Sequence, residues 1–144
     1  MKLALTALVA LHTALVSATA LAAEPGLKLV DQSAARSIAD RKPVDPAVRF
    51  PADVGEVVAF VNIANPGAPT QVQQRWTHGE KTRFEAKLTV GRAPGWRTWS
   101  RHRMGRGDAG AWTVTTVAAD GTVLGTLSFE VEPATAPVST AKAD

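Results

Sequence analysis

The stretch Thr82-Arg83-Phe84-Glu85-Ala86-Lys87-Leu88-Thr89-Val90 alternates without a break, with Phe84, Ala86, Leu88 and Val90 on one side and Arg83, Glu85, Lys87 and Thr89 on the other. Side chains of a β-strand point alternately to opposite faces, so this is a strand with one dry face and one wet face, the pattern of an antiparallel sheet. The same period of two recurs outward in both directions, and helical periodicity does not. Upstream, Gln71 to His78 leads into it through the tight turn His78-Gly79-Glu80-Lys81. Before that, Glu56 to Ala64 is a nearly continuous apolar run, as in a strand covered on both faces, and Asn65-Pro66-Gly67 ends it. Downstream, Gly91 to Gly95 is a loop into Trp96 to His102, and a Gly-rich stretch from Met104 to Gly110 leads to Ala111 to Ala118. Asp120-Gly121 is a hairpin signal, and Thr122 to Glu132 is the last strand, closed by Pro133. Leu27 to Val30 opens the fold, while Gln32 to Asp40 reads equally as a helical turn or an edge strand. Short strands joined by brief turns predict an all-β fold, a small antiparallel β-sandwich of immunoglobulin-like form, with a small β-barrel as the alternative.

The N-terminus reads as an export signal. Lys2 gives a positive start, Leu3 to Val16 is apolar apart from Thr6, His12 and Thr13, and Ala20-Leu21-Ala22 offers small residues for a signal peptidase. Cleavage after Ala22 gives the partition 1–22 signal peptide, 23–37 N-terminal segment, 38–133 sandwich and 134–144 disordered tail. The location expected is the periplasm, with secretion or an N-terminal membrane anchor as alternatives. No second apolar run is long enough to span a bilayer after cleavage. The chain has no Cys. Its stability must therefore come from packing and sheet hydrogen bonds, without disulfides.

Charge is unevenly placed. Residues 71–106 carry nine Lys and Arg against Glu80 and Glu85, whereas residues 107–144 carry Lys142 against five acids. The basic middle either forms a positive face or pairs with the acidic C-terminal strand. Within it, Trp96, Thr98, Ser100 and His102 fall on one face of a regular strand, and Arg97, Trp99, Arg101 and Arg103 on the other. Trp96 is expected to join a core with Trp112, Phe84 and Phe129. That leaves Trp99 among Arg97, Arg101 and Arg103, the candidate ligand-binding residues. Guanidinium groups bind anions in bidentate fashion, and the indole offers a flat apolar platform. The competing structural reading is that Arg97 and Arg101 stack over Trp99 and shield it.

No catalytic constellation emerges. Ser100 and His102 share a face and would permit a small hydrolase, but the nearest acid, Asp108, lies in a loop expected to be mobile. His78 and His102 have no partner at metal-ligand spacing and read as solvated surface residues. No metal or cofactor is expected. Arg106-Gly107-Asp108 reads as a flexible turn. The expected function is a non-catalytic exported domain contacting an anionic or glycan component of the envelope, or a partner protein. The alternatives are the hydrolase and a purely structural accessory module. Nucleic acid suits basic groups interleaved with aromatics, but the export signal argues against it.

From Ile38 to Val131 the chain resembles a bacterial family known as domain of unknown function 2914. The likeness rests on Arg41-Lys42-Pro43-Val44, on Phe50 with the run to Val57, and on Trp76 ahead of a turn. It continues through Leu88-Thr89-Val90 into Trp96-Arg97-Thr98-Trp99-Ser100, then Gly110-Ala111-Trp112-Thr113-Val114, Asp120-Gly121-Thr122-Val123-Leu124 and Phe129. The position two before Trp76, commonly His in that family, is Gln74 here, which removes support for a metal or acid–base role there. The resemblance implies a compact all-β domain in envelope or membrane-attached proteins, and no activity.

Overall fold

The computed structural model describes residues 26–134. The proposed signal peptide and all but the first residue of the proposed tail lie outside them. The described chain is all-β: β1 (Lys28–Ala35), β2 (Ser37–Ala39), β3 (Lys42–Val44), β4 (Arg49–Phe50), β5 (Glu56–Asn65), β6 (Thr70–His78), β7 (Lys81–Val90), β8 (Ala93–Arg103), β9 (Gly110–Ala118) and β10 (Val123–Val131), with one 3₁₀ turn at Arg106–Asp108. A three-stranded sheet, β1-β5-β8, faces a five-stranded sheet, β4-β10-β9-β6-β7. Pairing is antiparallel throughout, except that the short β4 runs parallel to β10. The result is a sandwich and not a closed barrel.

Alternation fills the space between the sheets. Val57, Ala59, Val61 and Ile63 of β5 point inward and meet Trp76 and Val72 of β6, Trp112 and Val114 of β9, and Phe129 and Val131 of β10. Two apolar clusters result. One gathers Phe50, Trp76, Trp112 and Phe129, and the other gathers Val61, Ile63, Val72 and Val90 with Trp96 packed against it. Between sheets runs a buried polar chain: Trp76 Nε1 donates to Ser100 Oγ (2.8 Å), Ser100 donates to Gln74 Oε1, and Gln74 Nε2 donates to Thr116 Oγ1 (3.4 Å).

β5 is covered on both faces, for a reason its own sequence does not contain. Val58 and Phe60 point away from the sandwich interior yet are 0% and 3% exposed. The two-stranded sheet β2-β3 packs against β1 and β5 there and takes the place of a third layer. The ambiguous stretch Gln32 to Asp40 thus divides between the end of β1 and β2. The β2–β3 turn places Asp40 and Arg41 at φ 51° and 59°, the two-residue conformation that suits the strand twist and ordinarily selects Asn or Gly. β1 itself lies within the 23–37 segment, and as an edge strand paired along β5 it is part of the sandwich.

The expected core is partly different. Phe84 is 37% exposed, and Trp76, fully buried, holds the place expected for it beside Trp112 and Phe129. Three strands cannot cover five, so the first half of the edge strand β7 overhangs the facing sheet. Phe84 there stacks on the ring of His102 at 5.8 Å.

Candidate binding face on strand β8

Register fixes which way each β8 side chain points. Trp96, Thr98, Ser100 and His102 pair with Ile63, Val61, Ala59 and Val57, the inward residues of β5, and therefore face the interior. Arg97, Trp99, Arg101 and Arg103 pair with Asn62, Phe60, Val58 and Glu56 and stand together on the outer face of the three-stranded sheet. β8 is the edge of that sheet, so the row borders solvent along its length. Trp99 is half-buried beside the covered Phe60 and belongs to neither core cluster, while Arg101 and Arg103 are exposed and Arg97 half-buried.

Arg101 pairs with Glu56 at 3.4 Å, but Arg97 and Arg103 form no ion pair among the described residues. Nor does either neighbouring guanidinium stack on Trp99, since the cation–π contact among the described residues is Arg83 over Trp112 at 5.9 Å. Arg41, at the tip of the β2–β3 hairpin, donates to the Arg97 carbonyl at 3.0 Å and brings a further guanidinium to the same row. Of the basic middle segment, among the described residues, only Arg83 reaches an acid of the C-terminal block, Asp108, at 3.3 Å. Charge in the middle segment is thus mostly left on the surface.

The other sequence-level candidates sit elsewhere. Ser100 is 7% exposed, and its hydroxyl proton goes to Gln74 Oε1, so it forms no nucleophile–base pair with His102. His102 packs against Trp112 and Trp76, at 5.3 and 5.9 Å between ring centres. His78 stacks on Trp112 at 4.6 Å and hydrogen-bonds the Ala109 carbonyl at 2.8 Å. Neither is a solvated surface residue, because the overhang of β7 and β8 makes a half-covered aromatic corner that a linear reading cannot see. Asp108 is likewise anchored: it is 8% exposed, accepts from Gly105 N at 2.7 Å and from Arg83, and ties Arg106-Gly107-Asp108 into the 3₁₀ turn. Gln74, where the family commonly has His, is fully buried and serves as the middle link of the polar chain. At the β9–β10 turn, hydrogen bonds from Thr122, chiefly its backbone N–H, hold the Asp120 carboxyl below its ordinary pKa. No group of three or more His, Cys, Asp or Glu that could hold a metal occurs among the described residues, and no helix there is long and apolar enough to cross a membrane.

No curated protein matches this chain. Residues 69–131, from the start of β6 to the end of β10, match the model of a family described as protein of unknown function (DUF2914), the family that the tryptophan block resembles.

Proposed function

We propose that this chain is a non-catalytic exported binding domain whose β8 outer face contacts an anionic or glycan component of the bacterial envelope, or a partner protein carrying such groups. The observation that carries this reading is register: Arg97, Trp99, Arg101 and Arg103 occupy one face of one edge strand, and Arg97 and Arg103 lack a carboxylate partner among the described residues. A guanidinium left without an internal anion forms charge-assisted hydrogen bonds to an external one. The adjacent indole adds apolar contact area without a large entropic cost. Export is read from Lys2, the apolar run to Val16 and Ala20-Leu21-Ala22, and it sets the expected partners in the envelope.

Substituting Arg97→Ala together with Arg101→Ala tests this directly. Both side chains lie on an outer face, so the fold should persist, and affinity for a sulfated polysaccharide matrix should fall at least about tenfold, or ~1.4 kcal/mol. The salt needed for elution should fall with it, because the attraction is screened. Unchanged retention of a folded double variant would remove the face from consideration.

A further inference from the structure

We propose that two copies of this chain join edge to edge through β7, antiparallel about a two-fold axis at Ala86, so that their five-stranded sheets become one continuous sheet. The pairing does not depend on what the β8 face binds. β7 is an outer strand of its sheet, and among the described residues no other strand or loop bonds to its free backbone edge between Phe84 and Thr89. Such an edge is a row of N–H and C=O groups that a further strand completes.

The two sheets have four edges, and three of them are unsuited to pairing with a copy. β4 is two residues long. β1 is interrupted at Val30, the extra residue where its pairing with β5 slips. β8 repels its own copy: centred on Trp99 it sets Arg97 opposite Arg101, and centred on Ser100 it sets Arg97 opposite Arg103. In β7 the pairing with β6 slips at Arg83, but Phe84 to Val90 is regular and contains neither Pro nor Gly.

Charge selects the register within that stretch. Alternate residues of β7 turn their backbone groups to β6, so only residues of equal parity can lie opposite one another across the new seam, and the axis passes through a residue. An axis at Glu85 sets two carboxylates face to face, and one at Lys87 sets two ammonium groups together. An axis at Leu88 gives neither charge an opposite partner. At Ala86, Glu85 of each copy lies opposite Lys87 of the other on the outer face, while Phe84 lies opposite Leu88 on the inner face.

The strand behind the seam fits this arrangement. Arg75 of β6 is in register with Glu85 and reaches its carboxylate at 2.8 Å, whereas Lys87 stands beside Gln73 and forms no ion pair among the described residues. Across the joined sheet the row therefore reads Arg75, Glu85, then Lys87 of the second copy, with the sign alternating. Phe84, left 37% exposed where β7 overhangs the facing sheet, gains Leu88 of the second copy as an apolar neighbour. The two-fold of an antiparallel strand pair runs perpendicular to the sheet, so both β8 rows point to the same side of the dimer.

Sedimentation equilibrium of the wild-type protein, of Glu85→Lys, of Lys87→Glu and of the variant carrying both changes tests the pairing. The wild-type protein is expected to show a reversible equilibrium between one and two copies. Each single charge reversal places like charges opposite each other at both ends of the axis and is expected to weaken association at least about tenfold. The double variant exchanges the two charges and is expected to associate as the wild type does. An equimolar mixture of the two single variants is expected to form a mixed dimer, because every Lys then lies opposite a Glu. Circular dichroism melts check that each variant folds; Lys87→Glu breaks no ion pair within the chain, so it tests the seam even if Glu85→Lys, which loses Arg75, does not fold. A wild-type protein that stays monomeric at its highest soluble concentration overturns the proposal. A dimer that a folded Lys87→Glu variant leaves intact, or folded single variants that fail to associate when mixed, overturns it as well.

Discussion

Trp76→Ala is expected to abolish the cooperative unfolding transition or to move its urea midpoint far down. Trp76 is completely buried, lies edge-on to Trp112 and Phe129 at 6.4 and 5.9 Å, and donates its indole N–H to Ser100 across the gap between the sheets. Truncation removes one of the two largest side chains of the main cluster and leaves a cavity that β-sheets on either side cannot close. The usual cost of such a change is about 3–5 kcal/mol. Domains of this size have about 5–15 kcal/mol in total, so much of the stability goes with one side chain. Trp99→Ala in the same assay should shift the midpoint less than half as far, since that indole belongs to neither cluster. Comparable losses from the two substitutions would mean that Trp99 is a core residue and that β8 has no free outer face.

Ser100→Ala should destabilise the domain by about 1–3 kcal/mol, although it removes a single oxygen. That oxygen accepts from Trp76 and donates to Gln74, so its loss orphans an indole N–H and an amide oxygen in the dry interior. Buried polar groups cost most when one partner of a satisfied chain is removed. Combining Ser100→Ala with Gln74→Leu should cost less than the sum of the single changes, because the amide left unpaired by the first is absent in the double variant. Chemical denaturation of the three variants measures this. A catalytic serine behaves differently: its loss changes turnover and leaves the midpoint where it was.

Much of the fold was readable from the chain because the strands that matter most alternate cleanly. β7 and β10 show the period of two, β5 shows a continuous apolar run, and the parity of β8 puts Arg97, Trp99, Arg101 and Arg103 on one side before any partner strand is known. What escaped notice depends on contacts distant in sequence. The Asp40–Arg41 turn takes a left-handed conformation without the Asn or Gly that ordinarily announces it, so the β2–β3 hairpin left no local mark. Phe84 and Trp76 both carry strong core signals. Only the widths of the two facing sheets decide that one overhangs and the other is enclosed. Asp108 looks like part of a mobile glycine-rich loop until Arg83 and the Gly105 amide are brought to it by folding.

Iodide quenching of tryptophan fluorescence, compared between the wild-type chain and Trp99→Phe, asks most directly whether the β8 indole stands on an outer, positively charged face. Trp76 and Trp112 are enclosed and Trp96 faces the interior, so anionic iodide should reach Trp99 best, helped by Arg97 and Arg101. Loss of most of the quenchable emission in Trp99→Phe is the predicted result. Quenching that is the same in both proteins would place Trp99 out of reach of anions and contradict the binding face.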